Sequence, residues 1–234
     1  MSESHFDAIV GRKKELVKIC GGNVDSDDSI SPVLGGDVLH LLDNIKVPQN
    51  KTMWEGKTLM RNGGRKKRQS VTDDGLWPNG QISWTLERGA SFTSEETKLL
   101  SEAMSFWEAR TCVRFRHVET AGNVVVVTRS DASCRASVGY WTKPQPLQLA
   151  PECFTFSTLT HELAHIMGLG HEQSRLDRNN YVDVAWDNVL ASKCYNFFPC
   201  FNCAQFDFSY DFGSLMHYGT SVRIGIEIEP SSSR

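Results

Sequence analysis

The segment THELAHIMGLGHEQSR, residues 160–175, constrains this 234-residue chain more than any other part of it. Three histidines and two glutamates lie there among leucine, alanine, isoleucine, methionine and glycine. Titratable groups are costly to bury unless they are paired, hydrogen-bonded or bound to a metal ion. The segment therefore predicts a buried site in which a shared partner organises these side chains.

His161 and His165 are four residues apart, so a helix would place both on one face, one turn apart. Imidazole nitrogen is a good ligand for zinc, with bonds of about 2.0–2.1 Å. Glu162 follows the first histidine and would point toward the edge of the site. From there it can take a proton from water instead of binding the metal. In the H-E-x-x-H motif the two histidines are metal ligands and the glutamate is a general base.

Gly168 lies three residues after His165, and glycine ends helices because it tolerates positive φ. A chain that turns there can bring His171 back to the same ion. Three protein nitrogens and one water make an open, catalytic zinc site, in which the pKa of the water falls to about 7. Glu162 would then be the general base in attack on a peptide carbonyl. A closed structural zinc site, the alternative, would leave Glu162 without a role.

The run RNGGRKKRQS, residues 61–70, places a Gly–Gly pair beside four consecutive basic residues. Exposed, flexible segments of this kind are where proteolytic cleavage occurs. We therefore divide the chain into a pro-segment, residues 1–68, and a peptidase domain, residues 69–234, with cleavage after Arg68 by a basic-specific processing protease. A solvated charge run or a nuclear address is the alternative.

Charge and cysteine content limit the kinds of partner and the cellular compartment that we expect for this protein. Residues 69–234 carry 19 Asp and Glu against 13 Lys and Arg, which argues against a nucleic-acid partner. No apolar run approaches the length of a membrane span, so we expect no membrane helix. Seven cysteines suit an oxidising compartment, although no signal-peptide core is visible at the N-terminus. We expect a secreted protein; a cytosolic one with free thiols is the alternative.

The hydrophobic pattern predicts strands and helices between residues 81 and 191. Thr93 stands three residues before Glu96, the spacing of a capping box, and opens a helix with apolar residues at helical intervals. Two further helices are expected over residues 156–169 and 184–191. Strands are expected over residues 81–87, 112–118 and 123–128.

These motifs together resemble a known group of enzymes, the metzincin metallopeptidases, whose signature is H-E-x-x-H-x-x-G-x-x-H. The chain resembles the astacin family in particular, in HEQSRLDRNNYVDV, GSLMHYG, LWPNG, FWEARTCVRF and SCRASVGY, and the likeness covers about residues 70–220. It implies an α+β, two-lobed zincin fold, with a twisted mixed sheet, an active-site helix and one zinc ion in the cleft between the lobes. It also implies an endopeptidase that acts on proteins or peptides.

The resemblance assigns roles around the zinc ion beyond the three histidines and Glu162. Met216 would form a turn beneath the metal; a core methionine is the alternative. Tyr218 would be a further zinc ligand in the resting enzyme, and would swing aside on substrate binding to hydrogen-bond the developing oxyanion. His217, between them, is not expected to be a ligand.

The resemblance also predicts a latent precursor. Asp37 in LGGD, residues 34–37, would bind zinc in place of the catalytic water, although Leu34 stands where the family has Phe. A turn aspartate without this role is one alternative, and Cys20, as a thiolate ligand, is a rival blocker. After cleavage, Glu172 would anchor the new N-terminus near Gln69 through water.

Cysteine usage departs from the family in places. The resemblance pairs Cys134 with Cys153, and it leaves Cys112 without its usual partner, because the family domain continues for some dozens of residues after the Met216 turn. Sequence leaves the pairing of the other cysteines open. These are Cys20, Cys112, Cys194, Cys200 and Cys203. The alternative to an enzyme is therefore a truncated, inactive zinc-binding relative that acts as a binding module.

Overall fold

The computed structural model describes residues 75–119, 122–189, 191–200, 203 and 208–219. These residues form one five-stranded mixed sheet with two α-helices, so the α+β class expected from the sequence is confirmed. The strands are β1 Gln81–Leu86, β2 Arg114–His117, β3 Val125–Arg129, β4 Cys134–Ala136 and β5 Gln145–Leu149. The helices are α1 Ser94–Glu108 and α2 Phe156–Ile166. Neither of them is long and apolar enough to cross a membrane.

The sheet has the strand order β2-β1-β3-β5-β4. All neighbouring strands are parallel except β4, which runs antiparallel to β5 and forms one edge. The central strands are apolar on the covered face, with Val127 opposite Leu147 and both fully buried. Parallel strands need such cover, because the connections between them place helices against the sheet.

Helix α1 begins as its sequence predicts. The Thr93 side-chain oxygen accepts from the Glu96 backbone N–H at 3.2 Å, and the Thr93 N–H donates to the Glu96 carboxylate at 2.7 Å. This reciprocal pair satisfies two backbone groups that a helix start would otherwise leave open. Leu100, Ala103 and Met104 then face the core.

Helix α2 carries the titratable segment through the middle of the molecule. Thr155 caps it by accepting from the Thr158 N–H at 3.1 Å, and every residue from 158 to 166 is buried. Leu159, Leu163 and Ile166 join the same apolar core as the strands and α1. The polar residues of α2 are therefore buried as a consequence of where its apolar residues pack.

A disulfide between Cys134 and Cys153, the pair expected from the resemblance, joins β4 to the 3-10 turn Pro151–Cys153 that precedes α2. It holds the antiparallel edge of the sheet beside the start of α2. Cys200 is bonded to Cys203, and Cys112 is exposed with a free thiol.

Three local predictions differ from the structure. Helix α2 ends at Ile166, not at residue 169, because Gly168 turns the chain at φ 102°. Strands β4 and β5 were not expected in a stretch rich in turn-forming residues. No α-helix covers 184–191: the described residues there form the 3-10 turn Trp186–Asn188, and Val189 then adopts extended backbone (φ −87°, ψ 125°) that breaks helical continuity.

The described chain after α2 is largely irregular. Its regular pieces are short 3-10 turns, at Glu172–Ser174, Arg178–Asn180, Trp186–Asn188 and Ala191–Phe197. This part returns to α2, where the Leu215 carbonyl contacts the His161 ring. The sheet, α2 and the irregular part therefore meet around the three histidines.

Candidate metal centre

His161 and His165 are oriented by backbone carbonyls on their outer ring nitrogens. Nδ1 of His161 lies 2.9 Å from the Leu215 oxygen, and Nδ1 of His165 lies 2.8 Å from the Leu169 oxygen. A carbonyl oxygen can only accept, so each Nδ1 carries the hydrogen of the neutral ring. Each Nε2 is then left with a lone pair that faces the interior of the site.

The turn at Gly168 brings His171 to these two rings. Nε2 of His171 lies 3.2 Å from Nε2 of His165 and 3.4 Å from Nε2 of His161. In a tetrahedral zinc site with bonds of about 2.0–2.1 Å, ligand nitrogens lie about 3.3–3.4 Å apart. The three side chains, all fully buried, thus fit a single zinc ion. Among the described residues, they form the cluster of potential metal ligands whose donor atoms lie close together.

Burial keeps these rings neutral, the form in which imidazole binds a metal. It lowers the pKa of His161 to about 4 and that of His165 to about 3, where the charge of the neighbouring ring adds to the effect. The pKa of His171 is also lowered well below its usual value, first by burial and then by the other histidines. Lone pairs at such short separation repel one another, and a cation between them removes that repulsion.

Glu162 lies beside the histidines with no solvent exposure. Neither of its carboxylate oxygens makes a hydrogen bond of ordinary geometry among the described residues, although the Ala136 backbone lies close enough to affect the carboxyl. Burial raises the pKa of this carboxyl to about 8, and the Ala136 backbone of β4 opposes this to a smaller extent. A buried carboxyl without a partner requires an explanation, and a water molecule or reacting group at this position would supply the missing contact.

The segment expected beneath the metal forms a turn at residues 214–217. The Ser214 hydroxyl accepts from the Met216 N–H at 3.1 Å, and the Met216 carbonyl accepts from the Glu172 N–H at 2.9 Å. The Met216 side chain is buried. His217 is engaged at both ring nitrogens, with the Tyr210 hydroxyl at 2.7 Å and the Tyr218 carbonyl at 2.6 Å, so its nitrogens point away from the three-histidine group.

Tyr218 lies against the third histidine. Its ring centroid is 4.6 Å from that of His171, and the residue is 3% exposed. Its backbone N–H donates to the Gln173 side-chain oxygen at 3.0 Å. The structure therefore places Tyr218 beside His171, and its expected roles as a zinc ligand and oxyanion donor stay predictions.

Glu172 lines a cavity of about 370 Å³. One carboxylate oxygen accepts from the Arg175 guanidinium and from the Asp211 N–H, both at 2.9 Å. Gln69, the expected partner at the mature N-terminus, lies outside the described residues, as do Asp37, Cys20 and Arg68. The roles of Glu172 and Asp37 stay predictions.

Sequence reasoning missed two residues that contact Tyr218, Gln173 and Phe197, and a third, Arg178, that links them. The Phe197 ring meets the Tyr218 ring edge-on at 5.6 Å, and the Arg178 guanidinium donates to the Gln173 and Phe197 carbonyls. Gln173 and Arg178 lie in the HEQSRLDRNNYVDV stretch, so their neighbourhood was visible. Their contacts with residues 19 to 45 positions away were not.

The model of the Astacin peptidase family matches residues 69–225, which is more than half of the chain. The chain belongs to the astacin family. A solved structure of high choriolytic enzyme 1, a hatching enzyme zinc-protease from the medaka fish Oryzias latipes, has the same fold. Its TM-score is 0.58 at 25% identity, over 71% of this chain and 82% of that one. Myroilysin shares the fold at TM-score 0.53 and 17% identity, over 69% of this chain and 88% of that one.

Relatives by sequence include proteins named as zinc metalloproteinases. Zinc metalloproteinase nas-4 of Caenorhabditis elegans is 29% identical over 94% of this chain and 66% of its own length. Human tolloid-like protein 1 is 29% identical over 80% of this chain and 20% of its own length. Zinc metalloproteinase dpy-31 of Brugia malayi is 34% identical over 69% of this chain and 28% of its own length. The chain thus spans between a fifth and two thirds of these relatives.

Proposed function

We propose that this astacin-family protein is a zinc-dependent endopeptidase that binds one zinc ion per chain through His161, His165 and His171. The convergence of their three Nε2 atoms beside the buried, unpartnered carboxyl of Glu162 carries the proposal. Family membership supports the same chemistry. The imidazoles bind the metal, and the Glu162 carboxyl, which does not bind it, remains available for proton transfer.

Bound zinc would supply Lewis-acid chemistry, polarising a carbonyl oxygen and making water more acidic. Glu162 acts as the general base: a carboxylate oxygen takes a proton from the attacking water and returns it to the leaving amine. Nearby positive charge favours the ionised carboxylate that this base needs, against the effect of burial. The burial of Glu162 and the three histidines keeps bulk water away from this exchange.

Tyr218 is assigned two roles, as a further ligand in the resting enzyme and as donor of a hydrogen bond to the oxyanion that forms during attack. A donor aimed at developing charge in a dry site contributes strongly to the rate. Its buried position against the His171 ring supports both roles. Met216 supports the floor of the site through the turn at residues 214–217.

The substrate is proposed to be a protein or peptide in extended conformation along β4. This strand is an edge of the sheet, and edge strands present unpaired N–H and C=O groups to which a peptide can add as a further strand. Its Ala136 lies next to Glu162, so a peptide paired with β4 would present its backbone to the base.

A latent, secreted precursor completes the proposal. Residues 1–68 would be the pro-segment, Asp37 would occupy the zinc until cleavage after Arg68, and Glu172 would then anchor the N-terminus near Gln69. The family match begins at residue 69, next to the basic run, and this supports the boundary. The disulfides at Cys134 and Cys200 support an oxidising compartment.

The test cleaves the disulfide-bonded protein after Arg68 and assays it on a denatured protein substrate, with and without a chelator. Glu162→Gln should lower kcat by about 10²–10⁴-fold while zinc affinity, measured by competition with a chromogenic chelator, stays within a few-fold. Glu152→Gln is the matched control, because Glu152 is an exposed carboxyl on the turn before α2.

If the wild type and Glu162→Gln are equally active, Glu162 is not the general base. If activity survives the chelator, hydrolysis does not depend on zinc. Either result would contradict the proposed function. Tight zinc binding by a wild type that cleaves nothing would favour the alternative, an inactive zinc-binding relative. The precursor tests latency separately: Asp37→Ala should make the uncleaved protein active, and a silent variant would contradict the role of Asp37.

A further inference from the structure

Tyr218 is contacted by three residues that are distant from it in the sequence. Its ring lies against His171, with centroids 4.6 Å apart. The Phe197 ring packs against it in an edge-to-face arrangement, with centroids 5.6 Å apart and planes at 80°. Its backbone is held by Gln173, whose side-chain oxygen accepts the Tyr218 N–H at 3.0 Å. The phenol ring is therefore packed between neighbours from two other segments of the chain, and its backbone is tied to a third residue.

One buried cation joins the two residues that hold Tyr218. Arg178 is 2% exposed, and its Nη1 donates to the carbonyl oxygens of both Gln173, at 3.1 Å, and Phe197. Its Nε donates to the Asn179 side chain at 3.0 Å, and its guanidinium lies over the Trp186 ring. No carboxylate pairs with it among the described residues. A guanidinium in such a setting depends on these carbonyls, so it holds the two backbone segments at a set spacing.

Phe197 is well placed for this task because it is a rigid, fully buried ring at the end of the 3-10 turn Ala191–Phe197. Its neighbour Phe198 is half-buried and packs instead on Trp186 and Tyr195. Adjacent phenylalanines thus have different neighbours, and one of the two contacts Tyr218.

We propose that Phe197 and Gln173, held together by Arg178, are positioning residues that keep the Tyr218 side chain beside His171 in the resting enzyme and limit its movement when substrate binds. The inference rests on the proposed function, since it assigns a consequence to where the Tyr218 hydroxyl lies. A smaller side chain at position 197 lets the phenol ring move away from the histidine site. A side chain at position 178 that bonds less rigidly to the Gln173 and Phe197 carbonyls also lets the phenol ring move.

The experiment compares Phe197→Leu with Phe198→Leu, each alone and combined with Tyr218→Phe. Leucine keeps an apolar filling, so both variants should fold, and far-UV circular dichroism checks this. In the cleaved enzyme Phe197→Leu should lower kcat about tenfold with KM within twofold, whereas Phe198→Leu should change kcat less than twofold. With Tyr218→Phe already present, Phe197→Leu should have no further effect on kcat.

A second readout does not depend on peptide hydrolysis. The protein is stripped of metal and loaded with Cu²⁺, since a phenolate bound to Cu²⁺ gives a visible charge-transfer band. The band should be present in the wild type, absent in Tyr218→Phe, weakened or shifted in Phe197→Leu and unchanged in Phe198→Leu. Arg178→Lys, which keeps the charge but loses the guanidinium plane, should resemble Phe197→Leu.

The outcomes separate this inference from the proposed function. A wild type without chelator-sensitive activity would contradict the function, and the Cu²⁺ band would still decide the positioning claim. A kcat loss from Phe197→Leu that is equal in the wild-type and Tyr218→Phe backgrounds would overturn it. So would a band that is absent from the wild type, or identical in Phe197→Leu and the wild type.

Discussion

At the scale of single residues, two tryptophans donate indole hydrogen bonds to carbonyls of α2. Trp77 donates to the Ile166 oxygen at 2.7 Å, and Trp107 donates to the Thr160 oxygen at 3.0 Å. The two carbonyls differ, because Thr160 lies inside the helix and already accepts an intrahelical bond. Ile166 is the last helical residue, and its carbonyl belongs to the set that a helix end leaves open.

We therefore expect Trp77→Phe to destabilise the protein more than Trp107→Phe, although both changes remove the same atoms. The first leaves the Ile166 carbonyl buried without a donor, which costs about 1–3 kcal/mol, and the deeper burial of Trp77 adds in the same direction. The second leaves the intrahelical bond of Thr160 in place. Urea unfolding of the two variants measures the difference, and equal losses would contradict this reading of the helix end.

Residues whose role depends on local spacing could be predicted from the sequence, and others could not. H-E-x-x-H-x-x-G-x-x-H predicts a shared site because helix geometry and one glycine turn fix where its side chains go. The roles of Gln173 and Phe197 depend on contacts with Tyr218, which lies 45 and 21 positions further along. No period in the sequence encodes such a contact.

At the scale of elements, the sequence predicted what local rules govern. Helix α1 follows from its capping box and apolar period, β1 from its alternation of polar and apolar residues, and β3 from its apolar run. Strand β5 contains a proline and follows a turn-rich stretch, and it exists because it pairs with β3 over five residue positions. Its stability comes from the partner strand, so its own residues did not reveal it.

The end of α2 shows how one backbone position connects an element to the site. Gly168 has φ 102°, which other residues rarely adopt, and its N–H bonds to the His165 carbonyl at 2.8 Å to close the turn. We expect Gly168→Ala to destabilise the protein by about 1–3 kcal/mol through backbone strain and to displace His171. Zinc affinity should therefore fall at least tenfold in a competition assay with a chromogenic chelator.

Gly89 provides the matched control for that change. It has φ 87°, lies exposed in a turn after β1, and a Cβ there would meet no atom within 4 Å. Gly89→Ala should cost similar strain and leave zinc affinity unchanged. Equal losses of zinc affinity in both variants would show that general destabilisation, not the path of the chain to His171, explains the effect.

At the scale of the whole molecule, the site makes stability depend on pH when no metal is present. Burial lowers the pKa values of His161, His165 and His171, so between about pH 4.5 and 6.5 the unfolded chain binds protons that the folded protein does not. Stability must then fall as the pH drops below 6.5. His217, with a pKa that burial also lowers, acts in the same direction.

Glu162 contributes to the pH dependence of stability with the opposite sign. Because burial raises its pKa to about 8, the folded protein keeps a proton that the unfolded chain has lost above about pH 4.5, and this contribution disappears as the pH rises through 8. Below pH 6.5 the four histidines outweigh the single carboxyl, and above it the carboxyl dominates. Metal-free protein should therefore be most stable near neutral pH, with a steeper decline on the acid side.

Thermal unfolding of chelator-treated protein between pH 4.5 and 8 measures this profile. Glu162→Gln should remove the decline on the alkaline side and leave the acid side in place, because glutamine does not titrate. Zinc should raise the whole curve, most at neutral pH, since it binds the folded state and requires deprotonated ligands. Stability that rises steadily from pH 6.5 to 8 in metal-free wild type would contradict the burial of Glu162, and an acid side unaffected by zinc would contradict the histidine ligands.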